Sequence, residues 1–127
     1  MAPMEGFDHL LKSYDVRDEL DEIASSDPPA YLRRCFAEGL STPTLSLPRV
    51  QQLAVCAMIL DSILNDRDYP GLEPELMADW RAHYTSTCVR IKDTAVMALR
   101  RAVEHLQHSD ADAAAELEQL EQRLAPA

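Results

Sequence analysis

Glycine is scarce in this chain of 127 residues: three in all, isolated at positions 6, 39 and 71. That scatter leaves no glycine-rich loop to cradle a phosphate and few of the turns that β-hairpins need. No stretch alternates β-branched and polar residues, so no sheet is expected. Cysteine is odd in number, at 35, 56 and 88, with spacings too long for a metal-type pair. This excludes a disulfide framework and points to a reducing compartment. None of the three follows a glycine-rich elbow or opens a predicted helix, so each reads as a core thiol and no catalytic nucleophile is expected. Bases are outnumbered, 12 Lys and Arg against 22 Asp and Glu, for a net charge of −10. An acidic balance disfavours nucleic acid and anionic membrane, because contact with phosphate depends on Lys and Arg. The opening MAPMEGFDHLLK has acids where a secretory leader would have bases, and no apolar core, so a cytoplasmic location is expected.

What the chain does have is one unbroken apolar run of eight residues, 53–60, inside PRVQQLAVCAMILDSILN, residues 48–65. The run is well short of the roughly 20 apolar residues that span a bilayer. A helix apolar all round is a buried helix. The fold expected is therefore all-α: a bundle of four to six helices around a buried central helix at 48–65, with one long helix and a C-terminal heptad-like helix. The length fits a single domain, 1–127, divided into N-terminal helices at 1–47, a central hairpin of helices at 48–108 and an acidic C-terminal helix at 109–127. The charge is uneven: −5 over 1–47, −3 over 48–75, +2 over 76–108 and −4 over 109–127.

Phe7, Leu10, Leu11 and Tyr14 share one helical face, and the phase then shifts to Val16, Leu20, Ile23 and Ala24. This predicts a kinked or doubled helix over about 4–25, with Asp15 capping the second part and Asp18 and Glu19 favoured in its first turn by the helix dipole. Asp27 and Pro28 open a second helix, for which Gly39 is the expected left-handed terminus. Ser46 and Pro48 open the central one. After Pro74 a helical pattern runs to about 107, with Met77, Trp80, Tyr84, Cys88, Ile91, Ala95 and Ala98 on one stripe. Val89, Val96, Leu99, Val103 and Leu106 lie on a second. A straight helix over 74–107 would be about 50 Å long. The 3,4 spacing of Val96, Leu99, Val103 and Leu106 continues in phase to Ala113, Leu117, Leu120 and Leu124. A break at 108–110, with Ser109 as cap, is preferred to one continuous helix. The Leu seam then pairs either back onto its own chain or with a second copy.

Several groups are candidates for chemistry. Residues 66–77, DRDYPGLEPELM, partly follow a calcium-loop pattern with Asp66, Asp68 and Gly71, but Pro70 and Met77 replace two of its ligands. Glu104, His105, His108 and Asp112 carry metal-capable groups at helical spacing without a second matching helix. His83, beside Asp79, reads as a surface residue. Asp61 directly follows the apolar run and must be paired if buried. Arg90, Lys92, Arg100 and Arg101 are a basic cluster without interleaved aromatics, against which the acids of 110–121 can fold. Trp80 and Tyr84, with Met77, read as core. The end of the central helix, at Asp61, Asn65, Asp66 and Asp68, is where a small site is expected.

The function these features favour is a non-enzymatic protein-interaction module, an adaptor, chaperone or regulator. It is expected to bind a protein partner of basic character and to form a homodimer through Val96, Leu99, Val103, Leu106, Leu117, Leu120 and Leu124. Neither cofactor nor metal is expected. The alternatives are an acidic, immunity-type inhibitor, with a carboxylate face drawn from 15–22 and 110–121, and a metal-dependent enzyme using His105, His108 and Asp112 or Glu104.

Overall fold

The computed structural model describes residues 10–125, and Phe7 of the expected first helix lies outside them. Among the described residues there are six helices and no strand: α1 (Val16–Ala24), α2 (Pro28–Ser41), α3 (Leu47–Asn65), α4 (Pro74–Val89), α5 (Lys92–Leu106) and α6 (Ala111–Leu124). Helix α3 is the central one and packs against each of the other five. All eight residues of 53–60 are wholly inaccessible. By length and composition α3 could also cross a membrane, but 72% of that stretch is buried inside the bundle, which accounts for its apolarity.

The helix starts follow local chemistry. The side chains of Asp15, Asp27, Ser46 and Asp110 accept from the backbone N–H groups of Asp18, Ala30, Arg49 and Ala113, each satisfying a donor that the first turn leaves open. The cap of α6 is thus Asp110, one residue beyond the expected Ser109, and the break at 108–110 is present. Before α1 the chain is a turn: Ser13 has φ 65° and the Tyr14 N–H donates to the Leu11 carbonyl at 2.9 Å, so α1 begins only at Val16.

Gly39 does not end α2, which runs two residues further to Ser41. Its role is close approach. A Cβ at 39 would lie 2.8 Å from Cδ2 of Leu53, so the missing side chain is what lets α2 lie against α3. The carbonyls at the end of α2 are met by Arg101 of α5, whose guanidinium donates to the backbone oxygens of Gly39, Thr42 and Pro43.

The expected single helix over 74–107 is two. At the junction the Arg90 N–H donates to Thr87 at 3.2 Å and the Ile91 N–H to Cys88 at 3.0 Å, so the chain tightens by one turn of i→i−3 bonding and changes direction without glycine or proline. The reason lies in packing. Helix α4 packs mainly against α3 through Met77 and Trp80, while α5 packs mainly against α6 and α2 and touches α3 less, so the two segments have different main neighbours. Val89, at the bend, is exposed instead of lying on the second stripe.

The C-terminal seam closes within the chain. Val96, Leu99, Val103 and Leu106 of α5 meet Leu117, Leu120 and Leu124 of α6, and none of the seven is more than 5% exposed. Of the two pairings open to this seam, the intramolecular one is formed, so these residues are core and are not presented to a second copy. Leu117→Ala should therefore cost about 2–5 kcal/mol by leaving a cavity. In urea unfolding, its midpoint and that of the parent should not move with protein concentration.

Candidate functional site

Among the described residues, four polar side chains are buried: Glu19, Gln51, Asp61 and Ser62. Three belong to α3 and the fourth, Glu19, is delivered to it by α1. Gln51 reaches back to the turn before α1, its Nε2 donating to the carbonyls of Leu10 at 3.1 Å and Lys12 at 3.2 Å. Asp61 gathers one tyrosine and Glu19 two, at two places on the surface of α3.

Asp61 is fully buried, and its carboxylate is completed by the turn that follows. Tyr69 donates to Oδ2 at 2.5 Å, Asn65 to Oδ1 at 2.6 Å, and Arg67 pairs with Oδ2 at 2.8 Å. Arg123 of α6 donates to the Tyr69 hydroxyl at 3.0 Å and lies over its ring. The end of α3 is closed by Arg81 of α4, which donates to the Ser62 carbonyl at 2.8 and 3.2 Å and pairs with Asp66 at 3.0 Å. A turn that resembles a calcium loop in sequence therefore points inward: Tyr69 and Leu72 enter the core, Asp66 adopts φ 55° as the cap of α3, and Gly71 supplies φ 94°.

The second cluster lies between α1, α2 and α3. Glu19 accepts from Tyr14 at 2.5 Å, from the hydroxyl of Tyr31, and from Nε2 of Gln52 at 3.4 Å, and the same amide donates to Tyr31 at 3.2 Å. Gln52 is held in turn by Arg49, which spans Gln52 at 3.0 Å and Glu38 at 2.9 Å. Two open clefts flank Gln52. One, of about 290 Å³, is lined by Tyr14, Ser46, Pro48, Arg49 and Gln52. The other, of about 190 Å³, is lined by Glu22, Tyr31, Arg34, Cys35, Glu38 and Gln52, with Arg34 over the Tyr31 ring. In this region Cys35 of α2 and Cys56 of α3 are both buried.

The electrostatics follow from burial. Burial raises the phenols of Tyr14 and Tyr31 well above their usual range, and the Glu19 carboxylate raises both further. Burial does the same to Tyr69, with Asp61 adding to the effect and Arg123 opposing it. Burial pushes the Cys56 thiol up, helped by Cys35 and Glu19, and the Cys88 thiol up to about 11. In this fold these groups are held protonated: the three phenols donate hydrogen bonds, and the two thiols are weak nucleophiles.

The remaining sequence candidates do not converge. Among the described residues no three His, Cys, Asp or Glu side chains form a group that could hold a metal ion. Glu104 and His105 lie on exposed positions of α5, His108 in the turn after it, and Asp112 on α6. His83 is exposed, with Nδ1 2.8 Å from the Asp79 carbonyl. The basic cluster is divided: Arg100 pairs with Glu121 of α6 at 2.7 Å, and Arg101 closes α2. Trp80 is core, and Tyr84 packs half-buried against it.

Sequence reasoning singled out Asp61, which is buried and paired, and missed the Glu19 cluster. Only the burial of Glu19 had a local signal, since it lies three residues after Val16 and four before Ile23 on the apolar face of α1; its partners come from other elements.

Asp61→Asn keeps the shape but turns an amide toward the donors of Asn65, Tyr69 and Arg67, and should cost about 1–3 kcal/mol in chemical denaturation. The protein should also be alkali-labile. An unfolded chain releases thiol protons near 9.0 and phenol protons near 10.0, whereas the folded chain holds those of Cys56, Cys88, Tyr14, Tyr31 and Tyr69 to higher pH. Stability from these groups is complete below pH 9.0 and falls as pH rises through 9.0 and 10.0. Denaturation midpoints measured across an alkaline series check the sign.

Compared with known proteins, the chain matches no family model, no curated protein and no solved structure.

Proposed function

We propose that this protein is a non-enzymatic binding module that engages a basic protein partner through the acidic face of α1. The observation that carries the reading is the division of charge. Six arginines are spent on the chain's own groups: Arg49 on Glu38, Arg67 on Asp61, Arg81 on the end of α3, Arg100 on Glu121, Arg101 on the end of α2 and Arg123 on Tyr69. Helix α1 and its cap instead present Asp15, Asp18, Asp21 and Glu22 to solvent within eight residues, against a single base, Arg17, which faces Glu73 at 3.8 Å.

Two further features support this reading. Among the described residues, every buried polar side-chain atom has a hydrogen-bond partner within the chain, as in a scaffold whose interior is complete without a ligand. The seam that could have joined two copies is internal, which favours a different protein over a second copy as partner. The carboxylates of α6 contribute less than those of α1, because Glu116 accepts from the Leu10 N–H at 2.7 Å and Glu121 is paired. A charged face of this kind speeds encounter and selects partners by sign, and its effect is screened by salt.

Copurification from a cell extract, with partners identified by mass spectrometry, tests this against the variant Asp15→Asn, Asp18→Asn, Asp21→Asn, Glu22→Gln. Asn caps a helix about as well as Asp, so the variant should keep its helical circular dichroism. Specific partners should be basic, should dissociate as salt is raised, and should be lost with the neutralised variant. Partners that are acidic, or that the variant retains in full, would overturn the proposal.

A further inference from the structure

The 190 Å³ cleft adjoins the acidic face of α1, because Glu22 belongs to both. Its other walls come from α2, through Tyr31, Arg34, Cys35 and Glu38, and from α3, through Gln52. The hydroxyl of Tyr31 is engaged inward, donating to Glu19 and accepting from Gln52, which fixes the ring and leaves its face as the part that an incoming group can meet. Tyr31 is only 7% exposed, and the chain's own Arg34 lies over that face, its guanidinium carbon 5.3 Å from the ring centre.

Here a cation is held by a ring and not by a countercharge. Among the described residues Arg34 enters no ion pair, although Glu22 and Glu38 line the same cleft. Glu22 enters none either, while Glu38 gives Oε1 to Arg49 at 2.9 Å with its side chain still 47% exposed. Arg34 is itself solvent-exposed. A cation–ring contact at an exposed site is worth about two- to fivefold in an equilibrium constant, so Arg34 leaves the ring readily.

From the seated cation, the cleft and the unpaired carboxylate beside it, we infer that this cleft anchors the basic partner by taking one of its arginine side chains in the place that Arg34 holds. The inference rests on the acidic face of α1 as the surface that draws the partner in. The incoming guanidinium stacks on Tyr31 and donates to Glu22 and to the second carboxylate oxygen of Glu38. Arginine suits the site better than lysine, since a guanidinium is flat, stacks on a ring and brings several donors in one plane, whereas an ammonium is a compact, strongly hydrated charge. Tyrosine and arginine are also among the residues in which binding energy concentrates at interfaces. Arg34 is then a placeholder, covering the ring in the free protein and competing with the partner for it.

The test uses two labelled peptides of equal length and charge, hexa-arginine and hexa-lysine, titrated into the folded full chain at low salt and followed by fluorescence anisotropy and by the ring-proton resonances of Tyr31. Hexa-arginine should bind the more tightly and should shift the Tyr31 resonances. Arg34→Ala should tighten its binding by about two- to fivefold, the size of the contact that no longer competes. Arg33→Ala removes the same charge from an adjacent exposed position that does not line the cleft, and should tighten binding less. Glu22→Gln should weaken it. Equal affinity for the two peptides, equal effects of Arg34→Ala and Arg33→Ala, or weaker binding in Arg34→Ala would overturn the inference. The acidic face would still stand if binding were lost in the variant with its four carboxylates neutralised. Hexa-arginine binding that this variant keeps in full, or no binding by the parent chain, would overturn the cleft and the acidic face together.

Discussion

Eight consecutive residues, 53–60, lose all contact with water, and that burial sets the conditions for the other five helices. A helix with one apolar stripe needs one neighbour; a helix apolar around its whole circumference needs a ring of them. Full burial of a side chain such as Leu53, Val55, Met58, Ile59 or Leu60 contributes about 1.5–3 kcal/mol. That is enough, repeated along two turns, to fix α3 at the centre and to make each other helix present an apolar face to it. The bend between α4 and α5 is one result. Helix α4 has α3 as its main neighbour and α5 has α6 and α2, and the chain turns between them.

Enclosing a helix also encloses its ends and whatever polar side chains it carries. Here the open carbonyls of α2 and α3 are each met by an arginine from another helix, Arg101 and Arg81. A guanidinium suits this position, since it brings several donors in one plane and a positive charge to the negative end of the helix. The two buried carboxylates are treated differently. Asp61 has the cation Arg67 beside it, itself 47% exposed, while Glu19 is held by hydroxyls and an amide. Both rely on tyrosine, the residue that can place a polar tip inside while its ring fills the core.

The all-α class, the buried central helix, the start of α2 and the break before α6 were legible in the sequence, because each rests on a local signal: an unbroken apolar run, an Asp-Pro pair, a cap. Three features were not. The end of α2 was read from Gly39 as a terminator, whereas its glycine answers to Leu53, a neighbour far along the chain. The junction at Arg90 and Ile91 carries no breaker residue and exists because of what α4 and α5 each pack against. The Glu19 cluster draws on three helices, so no single window of sequence contains it. What was missing in each of these three cases was long-range information.

The pairing of α5 with α6 bears on the order in which the molecule is made. Leu99 and Leu117 are both wholly buried, yet 18 residues of synthesis separate them, and α6 is the last helix in the described chain. A ribosome delivers α3 and then the seam of α5 before the helix that covers that seam exists. Until Leu124 has emerged, the nascent chain carries an uncovered leucine and valine strip on a partly built bundle. During that interval, the surface that later holds the protein together is the one most exposed to chaperones and to neighbouring nascent chains.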